Sequence, residues 1–203
     1  MEKVKCIEYR GIRDLVAAEV LTDTTEKFEC GEVFSLAWAS ELSRETDNSS
    51  EAHYYDNVPA IVIDSTGADT VNVAASAIPL DVVAKITGQF YEEETGMFIE
   101  GEREAKYYAI GYVTEDTSGE EIFVWRLKGK FGIPSETHGT KNEGTDANGQ
   151  ELTYTGVNTT HRFEKRNKSE KAVNVLKSKC PMDEATFFST VQTPDTVKVE
   201  AAG

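Results

Sequence analysis

Two stretches of this chain alternate apolar and polar residues so regularly that they fix its class. From Tyr107 to Thr114, every second residue is large and apolar: Tyr108, Ile110 and Tyr112. From Glu120 to Phe131, Phe123, Trp125, Leu127 and Phe131 fall on one face, and Arg126, Lys128 and Lys130 on the other. A period of two is the signature of a strand. Between the two runs lies Glu115-Asp116-Thr117-Ser118-Gly119, whose residues suit a tight reversal, so the pair reads as a β-hairpin.

The same period recurs elsewhere. Val33 to Leu42 places Phe34, Leu36, Trp38 and Leu42 on one face. Leu15–Leu21, Ala60–Asp64, Asp69–Ala75 and Glu151–Asn158 read as further strands, with Ser65-Thr66-Gly67-Ala68 as the turn between two of them. Pro79 to Thr87 reads as a helix, with Pro79 at its first position, Leu80, Val83, Ala84 and Thr87 on one side, and Gly88 just past its end. Ser169 to Lys177 fits a second helix, capped by Ser169 and lined by Ala172, Val173 and Leu176, and a short third is expected after Asp183. Ser43–Asn57 and Ile133–Gln150 fit neither period. Long polar segments beside strong strands suggest hairpin arms that order against a partner. A length of 203 residues is consistent with one domain spanning residues 1–203, with a C-terminal segment at 162–203.

The net charge is −15. That weighs against a general nucleic-acid binder, whose affinity comes from Lys and Arg on phosphates, and against docking on anionic membranes. The charge is also uneven. Residues 51–160 carry 7 basic and 19 acidic side chains, whereas residues 161–203 carry 8 and 6. Such asymmetry suits head-to-tail pairing of copies, although two solvated surfaces also account for it. No secretory signal and no membrane span is expected, and Cys6, Cys30 and Cys180 read as free thiols of a reducing compartment.

Catalytic and metal-binding patterns are missing. His53, His138 and His161 show no ligand spacing, and no GxSxG, GxxxxGK[ST] or GxGxxG occurs. No cofactor, metal site or enzymatic activity is expected. The densest acid is Glu92-Glu93-Glu94, which reads as a solvated loop or as an acidic surface facing a repelled polyanion. The stripe Arg126, Lys128, Lys130 has two readings: attraction to an acidic patch on a neighbouring copy, or ion pairing within the chain. Tyr54 and Tyr55 either anchor an interface or mark where the chain re-enters its core.

Taken in order, these features resemble a known family. The run Tyr107-Tyr108-Ala109-Ile110-Gly111-Tyr112, the hairpin turn, and Phe123-Val124-Trp125-Arg126-Leu127-Lys128-Gly129-Lys130-Phe131 are similar to the major tail protein, or tail tube subunit, of long-tailed bacteriophages (siphophages) and prophages of Gram-positive bacteria. Gly11-Ile12-Arg13-Asp14-Leu15, Ile78-Pro79-Leu80 with Thr87-Gly88, and Phe187-Phe188-Ser189-Thr190-Val191 agree with it.

The resemblance implies a mainly β fold: a two-sheet antiparallel sandwich or barrel with one flanking helix, long arms and a partly helical C-terminal segment. It implies a structural virion protein that stacks as hexameric rings into a hollow tube conducting DNA. The implied partners are copies of itself, a tape measure protein, and tail terminator and distal tail proteins, with synthesis in the bacterial cytoplasm. Two other readings fit a β chain of this composition: the tube subunit of a contractile injection device, and a sandwich binding module such as a virion decoration or receptor-binding domain.

Overall fold

A computed structural model describes residues 4–140 and 148–198. Eleven strands, two α-helices and a single 3-10 turn (Lys177–Lys179) are defined among them. In chain order they are β1 (Tyr9–Asp23), β2 (Phe28–Ala37), β3 (Ala39–Tyr55), β4 (Val58–Ala75), α1 (Leu80–Thr87), β5 (Phe90–Glu92), β6 (Met97–Ile99), β7 (Tyr108–Asp116), β8 (Glu121–Phe131), β9 (Ser135–Glu136), β10 (Gln150–Gly156), β11 (Ala172–Leu176) and α2 (Glu184–Ser189).

The strand pairings are antiparallel, and the main sheet runs β2-β1-β7-β8-β10-β4-β3. Two features bend this one sheet into two facing layers. At one end only Trp38 separates β2 from β3, so the chain passes directly from one layer to the other. At the other, β8 forks along a single edge. Its first half pairs with β11 (Ala172↔Arg126 to Leu176↔Ile122), and its last three residues pair with β10 (Tyr154↔Phe131 to Gly156↔Gly129). The fork is possible because Gly129 has no side chain: a Cβ there would meet the Tyr154 ring at 2.3 Å. The face of β8 switches in the same region, so Phe131 leaves the face expected from its spacing and packs on Tyr108 and Tyr154.

The inner cluster fills the space between the layers. Leu15, Leu36, Tyr108, Ile110 and Val124 meet Val71, Val73, Leu152 and Tyr154 there. Helix α1 closes one end with Val83 and Ile86; Tyr108 Oη donates to the Lys85 carbonyl at 2.5 Å. The helix stops where expected, at Gly88 with φ 72°, a left-handed turn that glycine adopts without strain. Ile86 is buried, while Leu80, expected on the packed side, is exposed.

The outer faces of β7 and β8 are buried as well. Ala109, Val113, Phe123, Trp125 and Leu127 lie under Phe163 and Phe187 of the C-terminal segment, and Trp125 Nε1 donates to the Phe187 carbonyl at 3.2 Å.

Four segments depart from the sequence reading. Ser169–Lys177 holds strand β11, because Val173 and Val175 reach the outer cluster only at a spacing of two. Ser43–Asn57 is strand through Tyr55. Ser65-Thr66-Gly67-Ala68 runs straight through β4 without a turn. Trp38 is exposed, since it is the linking residue at a corner. Of Ile133–Gln150, residues 141–147 lie outside the described residues.

Candidate assembly surface

Strand β4 has two neighbours only from Asp69 to Ala75, where β10 and β3 flank it. From Val58 to Ala68 it has β3 alone, and the pair projects as a two-stranded arm. Nine extended residues from Asp47 to Tyr55 give a reach of about 30 Å. The arm closes in a two-residue turn at Asp56-Asn57, both with positive φ (49° and 62°), the geometry whose twist matches a hairpin.

At the root of the arm the register slips between Thr46 and Asn48, where Asp47 alone faces Gly67 and Ala68, so the extra residue lies on β4. Gly67 accommodates that bulge: a Cβ there would stand 2.9 Å from the Asp47 Cβ.

This arm carries a large share of the exposed apolar surface. Tyr54, Tyr55, Val58, Ile61, Val62 and Ile63 are all 50–67% exposed. Ile61 and Ile63 point to one face and Val62 to the other, so the body covers neither side. The stretch Glu45–Ala68 holds Glu45, Asp47, Glu51, Asp56 and Asp64 but no Lys or Arg. Contiguous apolar surface on a thin acidic ribbon marks an interaction element.

The arm is clamped to the body by Asp69, which is buried among cations. Its carboxylate accepts from Arg126 Nη1 at 2.8 Å, Lys171 Nζ at 3.0 Å and Thr46 Oγ1 at 2.9 Å, and Arg44 stands 3.9 Å away. Lys171 also donates to the Gly67 carbonyl. Burial pushes the Asp69 carboxyl up, but the Lys171 and Thr46 bonds and the charges of Lys171 and Arg126 outweigh it and hold it below its ordinary value.

Asp23 is built the same way. Burial opposes it, yet the bond from Lys128 at 2.5 Å and the backbone N–H groups of Thr160 and His161 hold it low.

The stripe Arg126, Lys128, Lys130 is therefore not one exposed surface. Arg126 is buried against Asp69 and Lys128 is nearly buried against Asp23, while Lys130 stands 4.6 Å from the centre of the Tyr107 ring. Forking of β8 and the C-terminal layer turn the first two inward. Tyr54 and Tyr55 sit at the arm's tip, beside the turn and away from the core. Glu92 ends β5, and Glu93 and Glu94 lie exposed in the β5–β6 turn, on the far side of the β7–β8 layer from the basic C-terminal segment. Sequence reasoning missed Ile61, Val62 and Ile63 as surface residues, because a short apolar run ordinarily marks a buried strand.

Among the described residues, no group of three His, Cys, Asp or Glu side chains is placed to hold a metal ion, and no helix is long and apolar enough to cross a membrane. Cys30 is half-buried, and desolvation with the charges of Asp23 and Glu29 pushes its thiol up to about 12, so it is unreactive near neutral pH.

No curated protein matches the chain at a significant level. The family described as phage tail tube protein matches residues 40–187, which takes in the arm, α1, the whole β7–β8 hairpin and β10. With nearly three quarters of its length inside that match, this chain belongs to the phage tail tube protein family and is a structural component of a phage tail.

Proposed function

We propose that the subunit polymerises into stacked hexameric rings that form a hollow tube, and that the tube conducts phage DNA into the host. The observation that carries this reading is the bare arm. An isolated two-stranded ribbon is marginal in water, and six exposed apolar side chains at its end need a cover that the body does not supply. A neighbouring copy is the cover the family implies. Tyr54 and Tyr55 are the proposed anchors, since each offers a broad ring and a hydroxyl at low entropic cost.

The role is architectural rather than catalytic. The acidic balance serves a conduit, because a wall rich in Lys and Arg would bind phosphates and stall transit. Glu92, Glu93 and Glu94 are the proposed lumen or acidic-surface group. A tape measure protein inside the tube, and tail terminator and distal tail proteins at its ends, are the partners that family membership suggests. The subunit would be made in the host cytoplasm and end in the virion, with residues 1–203 acting as one domain.

Negative-stain electron microscopy over a concentration series tests the proposal. Rings or tubes from the natural chain, and only monomers from Ile61→Ser/Ile63→Ser, are expected. Tubes of normal yield from the double variant would remove the Ile61 and Ile63 face of the arm from assembly.

A further inference from the structure

The fork in β8 leaves an opening between the two layers. Beneath it lies a cleft of about 1120 Å³. Ile12, Leu42, Tyr112 and Val124 line its apolar part, and its charged end mixes Arg44, Arg126 and Lys171 with Asp69 and Glu170. The strands at its mouth, β3 and β11, each have one edge unpaired among the described residues. Arg126 is the informative residue. Its side chain is 7% exposed, Nη1 is used on Asp69, and its buried Nε has no partner among the described residues. A buried N–H without an acceptor is costly, so such groups are normally answered. A guanidinium with a vacant Nε edge suits a carboxylate.

The arm supplies a matching shape. Cross-strand pairing puts Ser50 opposite Asp64 and Ala52 opposite Val62, so these four share one face. That face is slim and carries one apolar side chain and one carboxylate, about 7 Å apart along the strand. The other face, with Glu51, His53, Ile61 and Ile63, is bulkier. The slim face has no Lys or Arg near it, whereas the cleft's charged end sets Arg44, Arg126 and Lys171 around Asp69 and leaves one edge of Arg126 without an acceptor.

We propose that the cleft is the receptor for the arm of a second copy: Val62 enters the apolar part, and Asp64 accepts from Arg126 Nε. This rests on the self-assembly reading above and names the site on the neighbour that receives the arm. It also explains why a strand so deep in the body carries an arginine: Arg126 holds its own arm root through Asp69 and the neighbour's arm tip through its other edge.

The test uses the full chain carrying Ile61→Ser/Ile63→Ser as receptor, and a fluorescent synthetic peptide of natural sequence, Ser49–Ser65, as probe. Anisotropy should show saturable binding. Arg126→Lys in the receptor keeps a cation for Asp69 but lacks the fork, and should weaken binding by about tenfold or more. A peptide with Asp64→Asn should lose as much against the unaltered cleft and nothing further against Arg126→Lys, which no folding defect can mimic.

No binding of the natural peptide, equal binding of the Asp64→Asn peptide, or independent losses from the two changes would each overturn the proposal. So would octanoate binding where the peptide does not, which would assign the cleft to a small amphiphile. Tubes that form from the natural chain while the peptide fails to bind would sink this site and leave the tube reading standing. Peptide binding without tubes would do the reverse.

Discussion

The two long hairpins of this protein are built alike and buried oppositely. In β7–β8, one face meets the inner cluster and the other the C-terminal layer, so Tyr108, Ala109, Ile110, Phe123, Trp125 and Leu127 are essentially inaccessible. In the outer part of β3–β4, Ile61, Val62 and Ile63 expose both faces. Backbone pairing is the same in each; what differs is whether anything lies above or below. The first hairpin makes the subunit stable. The second contributes little to the subunit and is free to contribute to the assembly.

Substitutions should separate the two. The largest loss of subunit stability is expected from Trp125→Ala, about 3–5 kcal/mol, since it empties the outer cluster and removes the bond to Phe187. Urea denaturation of the monomer measures it. Asp69→Asn should cost about 3 kcal/mol by leaving Arg126 and Lys171 buried without their anion, and should also loosen the arm root, seen as faster amide exchange from Asp47 to Ala68.

Acid gives a third handle. Asp23 and Asp69 are both held below their ordinary 3.8, so the stability they contribute is complete above that value and lost as pH falls through the depressed ones. Midpoints of thermal unfolding should therefore be flat near neutrality and drop steeply below about pH 4, and Asp69→Asn should flatten that drop. A curve of unchanged steepness in the variant would show that the clamp is not what acid releases.

The smallest effect on the monomer is expected from Ile61→Ser/Ile63→Ser, within about 0.5 kcal/mol despite removing two large apolar side chains. A loss of several kcal/mol there would mean that the arm folds back on its own body and would erase the contrast between the hairpins.

The same contrast explains what the sequence disclosed. The hairpin β7–β8 and helix α1 were readable because burial imposes a period on residues that face a core. The β3 half of the arm was unreadable as strand: Ser43–Asn57 has no alternation, since neither face is buried and nothing selects its residues in pairs. Alternation reports a covered face rather than an extended backbone. Strand β11 was misread because five residues containing Ala172, Val173 and Leu176 satisfy a helical stripe as well as a strand pattern, and only its partner β8 decides between them. Of the site, Tyr54 and Tyr55 stood out by type. The pairing of Arg126 with Asp69 joins residues 57 positions apart, and no local pattern encodes it.

The layer over Trp125 also sets an order of events during synthesis. The apolar outer face of β7–β8 is complete once the ribosome has made Leu127, yet Phe163 and Phe187 that cover it come later. Until they emerge, the nascent chain displays Phe123, Trp125 and Leu127 to the cell, a hydrophobic signal that chaperones and proteases read. Chains arrested before Phe187 should turn over faster in cells than full-length ones, which a pulse-chase comparison measures.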